Sequence, residues 1–146
     1  MPYLAARSWL SVSRPASQSV SGRGTGSTVN VFVLGGRLHK LGVSASGAAA
    51  VEAASSVTAD LALFPVPGIH PRQGLTTSEP EEAALLRIFI SRTADSYVLA
   101  SIEKLGTVCS YKVTGLSEVA GIITDAPAGE PTVRQLREDR VTIIEA

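Results

Sequence analysis

Apolar residues follow two rhythms along this chain. Short runs rich in β-branched and aromatic residues recur at Val29–Leu34, Leu61–Phe64, Tyr97–Ala100, Val108–Val113, Gly121–Thr124 and Val141–Ile144, and each predicts a strand. Between them lie stretches with helical spacing or composition. Ser46–Ser56 is alanine-rich, with high intrinsic helix propensity, and its narrow side chains should let it lie close against a sheet. Ala84, Leu85, Ile88 and Phe89 fall at i, i+1, i+4 and i+5 and form one apolar stripe. Pro131–Glu138 is a short polar helix carrying Val133 and Leu136. Strands alternating with helices predict an α/β fold with a mostly parallel sheet and flanking helices.

The pattern is clearest from Asp60 to Gly106. Leu61–Phe64, bounded by Pro65 and Pro67, reads as a buried strand. Pro65–Ser78 is punctuated by Pro and Gly and reads as a loop with no element of its own. A helix follows, with Ser78 as N-cap, Pro80 in the first turn, and Glu81 and Glu82 at the positive end of the helix dipole. Tyr97–Ala100 is the next strand, and Ser101–Gly106 the loop behind it. This is a βαβ unit, and its parallel strands bring both loops to one edge of the sheet. Open sheets of this kind bind ligands outside the carboxyl ends of their strands, so a site is expected there.

Composition narrows the classes. The chain has 146 residues, enough for one domain with a modest core. It is 45% hydrophobic and 18% charged with a formal net charge of +0, which fits a globular protein. Neutrality argues against direct DNA binding by this chain, because neutralising phosphates requires clustered Lys and Arg. No run reaches the roughly 20 apolar residues of a membrane helix, and Arg7 and Ser8 interrupt the apolar N-terminus that a signal peptide would need. The expected location is cytoplasmic, away from membranes. The single cysteine, Cys109, excludes an internal disulfide and any multi-cysteine metal site. It reads as a small structural residue unless a nearby base activates it.

Residues 1–28 stand apart as a flexible Ser/Gly-rich lead-in, with at most a turn of helix between Met1 and Leu10. Gly22–Thr28 could cradle an anion, but it neither follows a strand nor opens a helix, and linker is the plainer reading. Gly35-Gly36 turns the chain into the basic stretch Arg37–Gly42, which holds His39 and Lys40. His39 and His70 are far apart and lack carboxylates at ligand spacing, so no metal site and no cofactor is expected. Lys104, just past a strand end in a loop closed by Gly106, suits a phosphate or carboxylate, and as a surface lysine it would simply be solvated. Gly68 and Gly74 suit tight turns or a close backbone approach to a ligand. Glu82 is explained by helix electrostatics or by contact with a ligand.

Taken in order, these residues resemble the C-terminal sensor domain of DeoR-type bacterial transcriptional repressors. That family's pattern has a Gly-containing loop after a strand, a G-L-T turn, an E-E-A helix start and a V-L-A-D-x-x-K-x-G strand end. Here they stand as Gly68, Gly74-Leu75-Thr76, Glu81-Glu82-Ala83 and Val98-Leu99-Ala100-Ser101-Ile102-Glu103-Lys104-Leu105-Gly106. Val33-Leu34-Gly35-Gly36-Arg37-Leu38 upstream and Gly121-Ile122-Ile123-Thr124-Asp125 downstream extend the match over residues 29–146.

The resemblance implies a partial ribose-phosphate-isomerase-like (NagB/RpiA/CoA-transferase-like) fold. It also implies an effector-sensing function directed at a phosphorylated sugar, with Gly68, Gly74, Glu82, Ser101 and Lys104 as effector-binding residues. Homo-oligomerisation is left open. Two departures qualify it. Ser101 stands where the family has an acid, and a serine cannot serve as the general base of an isomerase. Neither the family's helix-turn-helix nor its first strand and phosphate loop is matched, so the chain is expected to be the distal part of a truncated member. The expected function is therefore a non-enzymatic sensor without catalytic residues. A sugar-phosphate isomerase-like enzyme and a non-functional remnant are the alternatives.

Overall fold

In chain order the elements are β1 (Tyr3–Ala5), β2 (Arg37–Leu38), β3 (Ala45–Ser46), α1 (Ala48–Ser55), β4 (Ala59–Pro65), β5 (Gly68–His70), β6 (Gly74–Thr77), α2 (Pro80–Ser91), β7 (Thr93–Ala100), β8 (Tyr111–Thr114), β9 (Gly121–Thr124), α3 (Pro131–Glu138) and β10 (Ile143–Glu145). The structure is a computed structural model and describes residues 3–5, 37–38 and 45–146, with side chains from Gly47 onward. The expectations for Val29–Leu34, Gly22–Thr28, His39 and Lys40 lie outside the described residues.

Five strands form a parallel sheet in the order β1-β4-β7-β9-β10. The βαβ unit is its centre: β4 and β7 pair in parallel, with Phe64 opposite Val98, and α2 connects them. Alternation along these strands sends Ala62, Phe64, Val98 and Ile122 into the main core, while Leu61, Leu63, Tyr97, Leu99 and Ile123 lie half-buried on the opposite face. Val133 and Leu136 of α3 have no exposed surface.

One expected loop is structured. Within Pro65–Ser78, β5 and β6 form a hairpin that β8 extends into a second, antiparallel sheet in the order β5-β6-β8. Its strands are three or four residues long, two of them start with glycine, and their stability comes from pairing with a segment distant in sequence. No local apolar period announces β5 or β6. The antiparallel sheet is assembled from two excursions out of the parallel one: β5 and β6 leave after β4, and β8 leaves after β7.

The boundaries shift elsewhere for local reasons. Tyr3–Ala5 is a strand paired with Leu61–Leu63, not a turn of helix, because β4 offers it a free edge. The N-cap of α2 is Glu79 rather than Ser78, and Pro80 takes the first helical position as expected. The cap is made indirectly: Thr77 Oγ1 accepts from the Glu79 amide at 3.4 Å and donates to the Glu82 carboxylate. The strand expected over Val108–Val113 starts later, at Tyr111, because Val108 and Cys109 belong to a loop. The buried side of α2 is wider than a single stripe. Ala83 and Leu86 join the main core, whereas Leu85 and Phe89 pack with Ala50 and Ala54 of α1. Thus α1 rests on α2, where a sheet was expected beneath it; its alanines are narrow enough for close approach, and the apolar surface available to them is helical.

Candidate functional site

Three neighbouring strands of the parallel sheet, β4, β7 and β9, end at one edge, and the chain leaves each of them through a short segment. After β4 come Val66, Pro67 and Gly68. After β7, Ser101 leads into a 3-10 turn, Ile102–Lys104, closed by Gly106 at φ 76°. After β9 comes Asp125. Hydrogen bonds tie these exits together. The Gly106 amide donates to Ile69 O at 2.7 Å, and Ile69 and Leu105 form an isolated parallel bridge. The Ile102 amide donates to Asp125 Oδ1 at 2.8 Å. The Lys104 amide closes the turn on Ser101 O at 2.9 Å.

Three of the five expected site residues meet here. Ser101 and Lys104 share the turn, and Gly68 lies against the following segment: a Cβ at Gly68 would sit 2.7 Å from Thr107 O and 2.6 Å from Thr76 Oγ1. What needs a residue without a side chain at Gly68 is therefore the protein's own backbone. Gly74 is elsewhere. Its φ of 79° follows the three-residue hairpin turn Pro71–Gln73, and a Cβ would fall 2.3 Å from Thr114 O. It shapes the hairpin and does not reach the 101–106 turn. Glu82 is engaged by Thr77, and among the described residues no hydrogen bond or ion pair joins it to that turn. His70 Nδ1 accepts from the Arg72 and Gln73 amides at 3.1 and 3.3 Å, which explains this histidine as a turn cap. Among the described residues, no group of three His, Cys, Asp or Glu side chains could hold a metal ion.

The turn carries its own electrostatics. Ser101 Oγ donates to Glu103 Oε1, and this bond, the Glu103 backbone amide and the nearby Lys104 charge hold the exposed Glu103 carboxyl below the usual carboxylate range. Glu103 is thus turned toward Ser101. Lys104 is half-buried, and its ammonium makes no hydrogen bond or ion pair with any described residue. Such a group can donate to an anionic oxygen arriving at this edge.

Sequence reasoning missed two residues of this edge. Asp125 was legible only as a strand end, yet its carboxylate holds the 3-10 turn beside β9. Thr76, in the G-L-T turn, is 3% exposed and accepts from the Cys109 amide at 2.9 Å. Neither residue type hints at its partner, since Ile102 and Cys109 lie 23 and 33 positions away along the chain.

Comparison with known proteins gives a consistent result. Residues 22–126 match the family model described as the DeoR C terminal sensor domain. The HTH-type transcriptional regulator FruR of Bacillus subtilis (strain 168) is 31% identical over 99 residues, 67% of this chain and 39% of that protein. The HTH-type transcriptional repressor GlcR of the same organism is 32% identical over 97 residues, 66% of this chain and 37% of that protein. The chain spans less than two fifths of the length of these relatives.

Proposed function

Because the chain belongs to the family of DeoR C-terminal sensor domains, we propose that it senses a phosphorylated sugar at the carboxyl edge of β4, β7 and β9, as a non-enzymatic part of transcriptional regulation in the cytoplasm. The observation that carries this reading is the half-buried Lys104, its ammonium uncommitted among the described residues, in the turn where three strand exits converge. A ligand phosphate at such a place gains a charge-assisted hydrogen bond from the lysine. Ser101 and Gly68 shape the approach. Gly74 and Glu82 contribute at a distance, by setting the hairpin and the start of α2.

The isomerase alternative needs a free carboxylate beside the substrate. Glu82 is bonded to Thr77, Glu103 to Ser101 and Asp125 to the Ile102 amide. Each thus has a local structural role that accounts for it without proton transfer, and Ser101 stands where an isomerase would need an acid.

A thermal-shift screen of pentose and hexose phosphates against the matching free sugars tests the proposal. Stabilisation by at least one phosphorylated sugar and by none of its unphosphorylated counterparts is expected. Equal responses to both, or no response to any, would sink it. An aldose–ketose interconversion assay on the same compounds should show no turnover.

A further inference from the structure

We propose that Thr76 is the positioning residue of the loop that carries Lys104: its buried hydroxyl sets where the 101–110 segment lies across the carboxyl edge of the parallel sheet. The proposal rests on the reading of that edge as an effector site.

Beyond Leu105, which packs on the core and bridges to Ile69, two hydrogen bonds hold the segment to the antiparallel sheet. At Gly106 the contact is backbone to backbone, with the amide donating to Ile69 O at 2.7 Å. At Cys109 the amide donates to a side chain, Thr76 Oγ1, at 2.9 Å. The same hydroxyl is the donor to Gly68 O at 3.4 Å, so one buried group joins β5, β6 and the loop. The fit is tight around it. A Cβ on Gly68 would approach the hydroxyl to 2.6 Å and Thr107 O to 2.7 Å. Between the two anchors, Thr107 and Val108 are exposed, and Val108 packs too little to hold the loop by burial. Detaching Cys109 leaves the stretch between Gly106 and β8 without its hydrogen bond to the hairpin, and Gly106, at positive φ, is a point about which that stretch can swing. The stretch is bonded back to the turn, with the Thr107 amide donating to Lys104 O at 3.4 Å and its hydroxyl to Glu103 O at 3.1 Å, so a shift there is passed to Lys104.

Thr76→Val removes the hydroxyl while keeping the shape of the side chain, and takes from the Cys109 amide its acceptor. Thr76→Ser restores the oxygen. Leu85→Ala is the reference for stability loss alone, because Leu85 packs against α1, in a separate cluster from the loop. Amide hydrogen exchange of the full chain, followed by NMR, compares the four proteins without any ligand. In Thr76→Val, exchange at Cys109 and Gly106 should quicken by about tenfold beyond what equal destabilisation produces in Leu85→Ala, with recovery in Thr76→Ser. Exchange at both amides matching Leu85→Ala at equal stability would overturn the proposal. Inorganic phosphate, titrated against the same spectra, should shift the loop amides of the wild type and require about tenfold higher concentration in Thr76→Val. A wild type that shows no phosphate-dependent shift would sink the effector reading, and the exchange comparison would still decide the role of Thr76.

Discussion

At the scale of single residues, the 101–106 turn separates two opposite charges on adjacent positions. Ser101 draws the Glu103 carboxylate to itself, and Lys104 is left with an uncommitted ammonium. The Ser101 hydroxyl is the largest cause of the lowered Glu103 carboxyl, followed by the backbone amide and the Lys104 charge. Ser101→Ala should therefore raise the Glu103 pKa toward the ordinary carboxylate value, read from a carbon-13 carboxyl titration. An unmoved Glu103 would mean that the hydroxyl does not bond it in solution. The linkage has a definite sign. A depressed folded-state pKa contributes stability that is present above the unfolded value and fades as pH falls through the folded one, so this turn loosens only in acid, below the usual carboxylate range. Lys104 itself should govern affinity. With a charge-assisted hydrogen bond worth roughly 1.5–3 kcal/mol, Lys104→Ala should weaken sugar-phosphate binding about ten- to a hundredfold. Calorimetry on a variant that still folds would expose an error if the affinity were unchanged.

Among the elements, α3 shows how a helix end is made without the usual residue. The Arg140 amide donates to Arg137 O at 3.0 Å and the Val141 amide to Leu136 O at 2.9 Å. This is the paired bonding of a Schellman motif, and Val141 and Leu136 meet in the core as that motif requires. The motif needs a left-handed residue, and Arg140 takes it at φ 63°, as the lone non-glycine with positive φ among the described residues. A left-handed L-residue costs about 1–2 kcal/mol, against which glycine's greater freedom in the unfolded chain must be set. Arg140→Gly should stabilise the protein by up to about 1 kcal/mol. Denaturant unfolding with an unchanged or lower midpoint would contradict that account.

In the whole molecule, the two sheets share one core. Leu75 of the antiparallel sheet belongs to the same buried cluster as Phe64, Val98 and Ile122 of the parallel one, with Leu86 of α2 among them. Such sharing predicts that the described part unfolds as a unit. Leu75→Ala should cost about 2–5 kcal/mol, and the loss should appear equally in the exchange of amides in β7 and β9 and of those in β6. Protection lost in β6 alone would show that the small sheet opens independently. Among the described residues, no helix is long and apolar enough to cross a membrane.

The sequence by itself determined the parts whose signals are local. The βαβ unit was legible because an apolar run, a proline at the first helical position and a helical apolar stripe are written in consecutive residues, and the parallel direction of its two strands follows from them, while the register that sets Phe64 opposite Val98 does not. The edge at which Ser101 and Lys104 stand was legible for the same reason: parallel strands force their exits to one side. Tertiary structure alone decided the rest. Gly68–His70 and Gly74–Thr77 are too short and too glycine-rich to declare themselves, and their hairpin becomes a sheet only where Tyr111–Thr114, far along the chain, pairs with it. Gly74 and Glu82 carry the right residue types for a site, yet one serves a hairpin and the other a helix start, because a side chain's role depends on what the fold sets opposite it. Thr76 and Asp125 gave no local signal, since each acts on an amide brought to it from elsewhere in the chain, at Cys109 and at Ile102.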